Sequence, residues 1–316
     1  MGRLRRLFQS EPAGLAVALV ALCLLLSLLS PVFLSAANLK NVLRDASLIA
    51  IAGIGMVVVI LAGEIDLSVG SAQAVVGILA VAILNQTGSA TLALLGSLAA
   101  GALIGLANGA LVTRARINSL IATLGTMAIL RGCAMVSTRA VSVQATVAGF
   151  EHAGTGYLGP LPIAVVVAGV LFALFYGILH HTPLGRYLYA VGGNPRAAHL
   201  AGLPVQGLKL LAFVTSGVLA SLSAYLLASR LSSGQPNAGL GFELQVIAAV
   251  ILGGVSLSGG LGTLVGAGLG ILILTVLNNG LVLLDVSSFY HDIARGVVII
   301  LAVGVDTRRR AVQGRP

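Results

Sequence analysis

The string Gly63-Glu64-Ile65-Asp66-Leu67-Ser68-Val69-Gly70-Ser71 sets two carboxylates and two hydroxyls among apolar neighbours. Carboxylates in or near hydrocarbon are costly and persist only where something satisfies them. Two readings follow from the residues. In one, the glycines allow a tight bend and Asp66 or Ser68 caps the next helix. In the other, the string is a polar element at a gate or a partner interface. A second segment, 181–208, is rich in small and polar residues. There Asn194 fits a helix cap and Pro195 a first turn. Arg196, Ala197, Ala198, His199, Leu200 and Ala201 then form about two turns ended by Gly202, Leu203 and Pro204. So short a helix is marginal alone; it is either an amphipathic surface helix or one packed into a partner's groove. A third cluster, His291, Asp292 and Arg295, has spacings of three and four and therefore shares one helix face. It is either an intramembrane ion pair or part of a solute path, with Asn278 and Asn279 nearby in sequence. Arg131 is a further charge within an apolar segment.

Other chemistries are excluded. The chain has two lysines, Lys40 and Lys209, and neither lies in a Gly-x4-Gly-Lys-Ser/Thr phosphate loop. Cys23 and Cys133 both sit in apolar segments, which is neither a disulfide framework nor a metal site. Nothing marks an enzyme. The net charge of +9 is not a nucleic-acid signal, because aromatics are 4%, Trp is absent and no basic run lies on a soluble domain.

The elements carrying these residues are membrane helices. Of 316 residues, 58% are hydrophobic and only 9% charged, with mean hydropathy +1.05. The apolar blocks are long enough to span a bilayer. The expected fold is all-α and polytopic, with about ten helices at 13–30, 47–62, 71–85, 91–112, 117–138, 161–180, 209–229, 243–256, 261–284 and 287–305. The third and eighth are short, glycine-flanked and open to a broken or re-entrant path. The first, although it follows Arg3, Arg5 and Arg6, is long and lacks a small-residue cleavage site, and is read as retained.

Ten helices put both termini on one side. With the ends cytoplasmic, twelve of the eighteen Lys and Arg residues fall in cytoplasmic segments, as the positive-inside rule requires. The outer loops hold Lys40, Arg44, Arg139 and Arg230. The expected organisation is a cytoplasmic segment 1–12, one transmembrane domain 13–306 with a cytoplasmic loop near 181–208, and a basic cytoplasmic tail 307–316. Asn108-Gly109 followed by Gly125 matches Asn279-Gly280 followed by Gly296 in spacing. The pairing runs in opposite directions and points to an inverted repeat, though 41 glycines also allow chance. Gly101, Gly105 and Gly109, and Gly262, Gly266 and Gly270, form flat helix faces for close packing.

The string 63–71 resembles the Gly-Gly-Ile-Asp-Leu-Ser-Val-Gly-Ser signature of ribose-type permeases of ATP-binding-cassette (ABC) importers, departing only at Glu64. The segment 181–204 is similar to that family's coupling loop, and 245–262 and 277–290 also match, so the resemblance runs from about 40 to 306. It implies the membrane-spanning subunit of an ATP-driven monosaccharide importer in the bacterial inner membrane, working by alternating access. It implies an ABC ATPase subunit docking at Asn194, Pro195, Arg196, Ala197, Ala198, Leu200, Ala201, Gly202 and Leu203. Ala197, Ala198 and Ala201 are expected to face the ATPase. It also implies a solute-binding protein, expected to meet Arg139 and Arg230, and a second permease copy or close homologue. ATP and Mg are used by the ATPase; no cofactor is expected in this chain. Two rivals stand beside this reading. A secondary transporter driven by an ion gradient would rely on Glu64, Asp66, Glu243 and Asp292. An ABC permease for branched-chain amino acids is disfavoured by the Asp-Leu-Ser-Val-Gly-Ser string.

Overall fold

The computed structural model describes residues 11–287 together with Tyr290, Ile293, Gly296, Val297, Ile300 and Gly304. It is mostly helical. The helices are α1 (Glu11–Leu29), α2 (Ala36–Leu61), α3 (Val69–Thr87), α4 (Ala90–Thr113), α5 (Ser119–Thr138), α6 (His152–Thr155), α7 (Ile163–His181), α8 (Pro183–Gly193), α9 (Pro195–Leu200), α10 (Val205–Leu231), α11 (Phe242–Leu252) and α12 (Leu264–Leu283). Seven of them, α2, α3, α4, α5, α7, α10 and α12, are long and apolar enough to cross a membrane. The six described residues beyond 287 are also helical.

Burial sorts these helices into centre and perimeter. In α2 every residue from Ala46 to Leu61 except Ala50 is buried. It is wrapped by α10, α12, α11, α7 and α8. On α4, α5 and α7, large apolar residues such as Leu103, Ile129, Val136 and Val170 are exposed. A soluble surface rarely carries so continuous an apolar face; around a bundle of spanning helices it is the face that meets lipid tails. The packing of α4 on α10 uses the first glycine row: a Cβ on Gly105 would come within 2.3 Å of the Phe213 carbonyl oxygen. In the second row, Gly266 and Gly270 approach Gly253 and Ala249 at the end of α11. Gly262 belongs to the preceding turn, ahead of α12.

Four short strands close one end. β1 (Val143–Gln144) pairs antiparallel with β4 (Ser233–Gly234), and β2 (Tyr157–Leu158) with β3 (Leu161–Pro162). Ser229 Oγ donates to Phe150 O and accepts from Gly154 N, pinning the 139–162 loop to the tip of α10.

Two of the expected helices are corrected. The second helix starts at Ala36, not near 47, because Ser35 caps it by accepting from Asn38 N. Lys40 and Arg44 are therefore helical. Arg44 is buried and donates to Thr155 O, and both cations lie over the Tyr157 ring. The third helix is unbroken from Val69 to Thr87. The eighth is indeed short: the 11 residues of α11 reach about 16 Å, roughly half the hydrocarbon core.

Candidate functional site

The first polar site is the turn between α2 and α3. Leu61 ends α2, and Gly63, at φ +80°, bends the chain in a conformation that disfavours side chains. Asp66 then lies fully inside the protein. Its Oδ1 accepts from Ser68 N at 3.0 Å and Ser68 Oγ at 2.6 Å, and its Oδ2 accepts from Ser216 Oγ at 2.8 Å. Asn108 Nδ2 donates to Ser68 Oγ at 2.8 Å and more loosely to Asp66. The carboxylate thus ties the turn to α4 and α10. Burial pushes its pKa above the ordinary carboxylate range, while the hydrogen bonds from Ser68 and Ser216 pull the other way. Of the two expected caps, Ser68 precedes α3 but makes no side-chain cap bond, whereas Asp66 accepts from Ser68 N immediately ahead of the helix. Beside it Glu64, the departure from the resembled signature, forms an ion pair with Lys209 at the start of α10. Leu67, Gly70 and Ser71 are buried. A Cβ on Gly70 would collide with Glu243 and with Gly239 O, so α3 starts against the loop before α11.

The same turn touches the segment expected to bind a partner. Gly63, Gly192 and Gly259 meet backbone to backbone, and Gly260 N donates to Leu61 O at 3.1 Å. A Cβ on Gly192 would lie 1.9 Å from Leu61 O. Three chain segments, the end of α2, the end of α8 and the 253–262 turn, are thereby in direct contact. Tyr189 reinforces the junction by donating to Gly262 O.

The segment expected to bind the partner contains more helix than expected. Thr182 caps α8, which the sequence reading missed, and Asn194 caps α9 by accepting from Ala197 N at 2.9 Å. Gly202, at φ +82°, follows the end of α9. Pro195, Arg196, Ala197, Leu200 and Ala201 are exposed, Leu200 most strongly at 82%. Ala198 corrects the expectation: it points inward, packed in a small core with Val191, Val205 and Leu208, against which Leu203 also rests. A cavity of about 650 Å³ beside α9 is lined by Arg116, Arg196, His199 and Lys209 among others.

The second site is a cavity of about 670 Å³ at the opposite end of α2. Asn41, Asp45, Gln73, Arg230, Gln245 and Asn278 supply most of its polar lining. At its rim Asn38 and Asn279 exchange two amide hydrogen bonds, 3.0 and 2.8 Å. Arg230, expected to be available to a binding protein, is instead paired with Asp45 of its own chain. Arg139 is exposed, in a left-handed conformation at the end of α5. Arg131 donates to the carbonyls of Pro236 and Ala238, with an added Coulombic attraction to Glu243. His291, Asp292 and Arg295 lie outside the described residues.

Sequence reasoning missed Ser216, Gly192, Asn41, Gln73 and Gln245. The usable signal was amides inside apolar helices, where an unsatisfied polar group is expensive.

A family model described as "branched-chain amino acid transport system / permease component" matches residues 38–303. The chain is 46% identical over 301 residues to the ribose import permease protein of Escherichia coli (strain K12), covering 93% of each chain. It is 40% identical over 303 residues to the ribose import permease protein of Bacillus subtilis (strain 168), covering 95% of this chain and 94% of that one. The L-arabinose ABC transporter permease protein of Azospirillum brasilense is 39% identical over 300 residues, covering 94% and 88%. No solved structure matches.

Proposed function

The chain belongs to the ABC permease family that holds these sugar import permeases, and from that premise we propose that it is the membrane-spanning subunit of an ATP-driven monosaccharide importer. The observation that carries the reading is 46% identity across 93% of a ribose import permease. It is a multi-pass membrane protein and not an enzyme. The family implies an ATPase that hydrolyses the nucleotide and a binding protein that delivers the solute.

The finer assignments are these. Ten helices span the membrane as an inverted repeat, with both termini cytoplasmic. The end bearing Glu64, Asp66, α8 and α9 faces the cytoplasm, in keeping with the placement of the basic residues. The exposed face of α9, with Leu200 and Ala201, docks on the ATPase. Movement of α9 reaches the α2–α3 turn through α8 and the glycine contact at Gly192. The opposite end faces outward, Arg139 meets the binding protein, and the amide-lined cavity belongs to the solute path. A second permease copy completes that path. Alternating access follows as the ATPases close and open.

The description of the family model favours a second reading, a permease for branched-chain amino acids. The named relatives and the 63–71 string favour sugar. The deciding experiment reconstitutes the chain in liposomes with its ATPase and binding protein and follows labelled D-ribose, L-arabinose and L-leucine. Sugar uptake that requires internal or external ATP at the ATPase face, and survives collapse of proton and sodium gradients, is expected. Uptake by the permease alone, abolished by collapsing a gradient, would sink the importer reading; leucine uptake without sugar uptake would select the second.

A further inference from the structure

The outer cavity has a chemistry that a passive conduit does not need. Its floor is set by Gln73, whose Nε2 donates to Ser223 Oγ at 3.1 Å, and Ser223 Oγ in turn donates to Leu48 O. Leu48 lies twelve residues along α2 from Ala36, about 18 Å of helix, so the floor reaches roughly the midplane of a hydrocarbon core about 30 Å thick. Facing the space are the side-chain amides of Asn41, Gln245 and Asn278. None of the three makes a side-chain hydrogen bond with the described residues, whereas Asn38 and Asn279 at the rim satisfy each other. Gln245 and Asn278 are half-buried. Asn41, which is exposed, and Asn278 lie nearer the ends of α2 and α12 than this floor; side-chain amides on apolar helices that bond no described group are costly against lipid, so they face water or a solute.

Resting on the sugar-import reading, we infer that this cavity is a weak polyol-binding site, in which the Asn41, Gln245 and Asn278 amides read solute hydroxyls and give the permease a selectivity of its own. Each amide offers both donors and an acceptor, and each sugar hydroxyl is both donor and acceptor. The match holds for several hydroxyls in any rotation, which suits a site that must release its solute. The same lining disfavours a zwitterion. The ionisable groups among the described lining residues, Asp45 and Arg230, neutralise each other. An amino acid's ammonium and carboxylate would lose hydration there without a free counter-charge. The cavity therefore separates a sugar from a branched-chain amino acid by charge before shape.

The test uses the full-length permease with its ATPase bound, in lipid nanodiscs without binding protein. Saturation-transfer NMR is recorded with D-ribose and with L-leucine. Ribose should give a signal and leucine none. Gln245→Met and Asn278→Leu, near-isosteric and apolar, should each weaken the ribose signal about two- to tenfold, the range of one net hydrogen bond. Retention of the ATPase on purification shows that each variant is folded. An equal leucine signal on the wild-type chain overturns the proposal without any variant, as does a ribose signal undiminished in both. ATP-driven ribose uptake by the complete assembly, with no ribose signal on the permease, also overturns it while leaving the importer intact. Loss of that uptake removes the underlying reading instead.

Discussion

Asp66 shows what a single residue contributes. Its two oxygens hold donors from three places in the chain: the adjacent Ser68, Asn108 forty-two residues on, and Ser216 one hundred and fifty residues on. Truncation to alanine leaves at least two of these groups buried without an acceptor, each costing about 1–3 kcal/mol. Asp66→Ala should therefore lower the melting temperature in detergent clearly, whereas Asp66→Asn, which keeps the shape and resembles the neutral acid, should lose much less. A sign follows from the raised pKa. The folded state binds this proton more tightly than the unfolded chain, so Asp66 favours folding below the ordinary aspartate pKa. That contribution is lost as pH rises through the raised one. Melting curves across that window should slope downward in the wild type and flatten in Asp66→Asn; equal slopes would remove the argument. Asp66 was legible in the sequence because a carboxylate among apolar residues stands out. Its partners were not, since a serine at 216 and an asparagine at 108 have many uses in an apolar helix, and only folding brings them to one turn.

Among the elements, α9 separates what is legible from what is not. The Asn-Pro start and Gly202 predicted a short helix, and Asn194 does cap it. Which face points outward depends on α8 and α10, and the sequence marked α8 by no long apolar period. Ala198 consequently faces the protein and Leu200 the solvent. Ala198→Trp should now destabilise the permease itself, by the 1–3 kcal/mol or so typical of overpacking, seen as lower expression and a lower melting point. Leu200→Asp should leave melting unchanged and weaken co-purification with the ATPase. Normal ATPase retention in Leu200→Asp would count against this face as the docking surface. The start of α2 went unseen for a related reason. Lys40, Arg44 and Asp45 break the hydropathy of its first turns, and their helical placement depends on Thr155, Tyr157 and Arg230, which lie far along the chain.

For the molecule as a whole, the sidedness of its two ends is the assignment on which the rest depends. In a background with Cys23→Ala and Cys133→Ala, single cysteines report it directly. Leu200→Cys, on the 82%-exposed side chain of α9, should react with a membrane-impermeant thiol reagent only in inside-out vesicles. Val141→Cys, 66% exposed beyond α5, should react only from outside intact cells. Exchange of the two sides would reverse the ten-helix arrangement, and labelling of both from one side would break it. The class of fold was plain from hydropathy because the perimeter helices are apolar throughout. The arrangement of centre and edge was not, since α2 and α4 are equally apolar and differ only in what surrounds them.

The burial of α2 also sets an order of events during synthesis. Its wrapping helix α10 begins at Val205, 144 residues after Leu61, so at about 5–20 residues per second the ribosome delivers it roughly seven to thirty seconds later. Through that interval Asp45 lacks Arg230 and Asn38 lacks Asn279. Hydropathy holds α2 in the bilayer; the polar clasps engage only when the later helices arrive and dock beside it. The pairs at the amide-lined cavity are therefore among the last contacts made, and a nascent chain stalled before them displays the unpaired polar groups by which an unfinished bundle differs from a finished one.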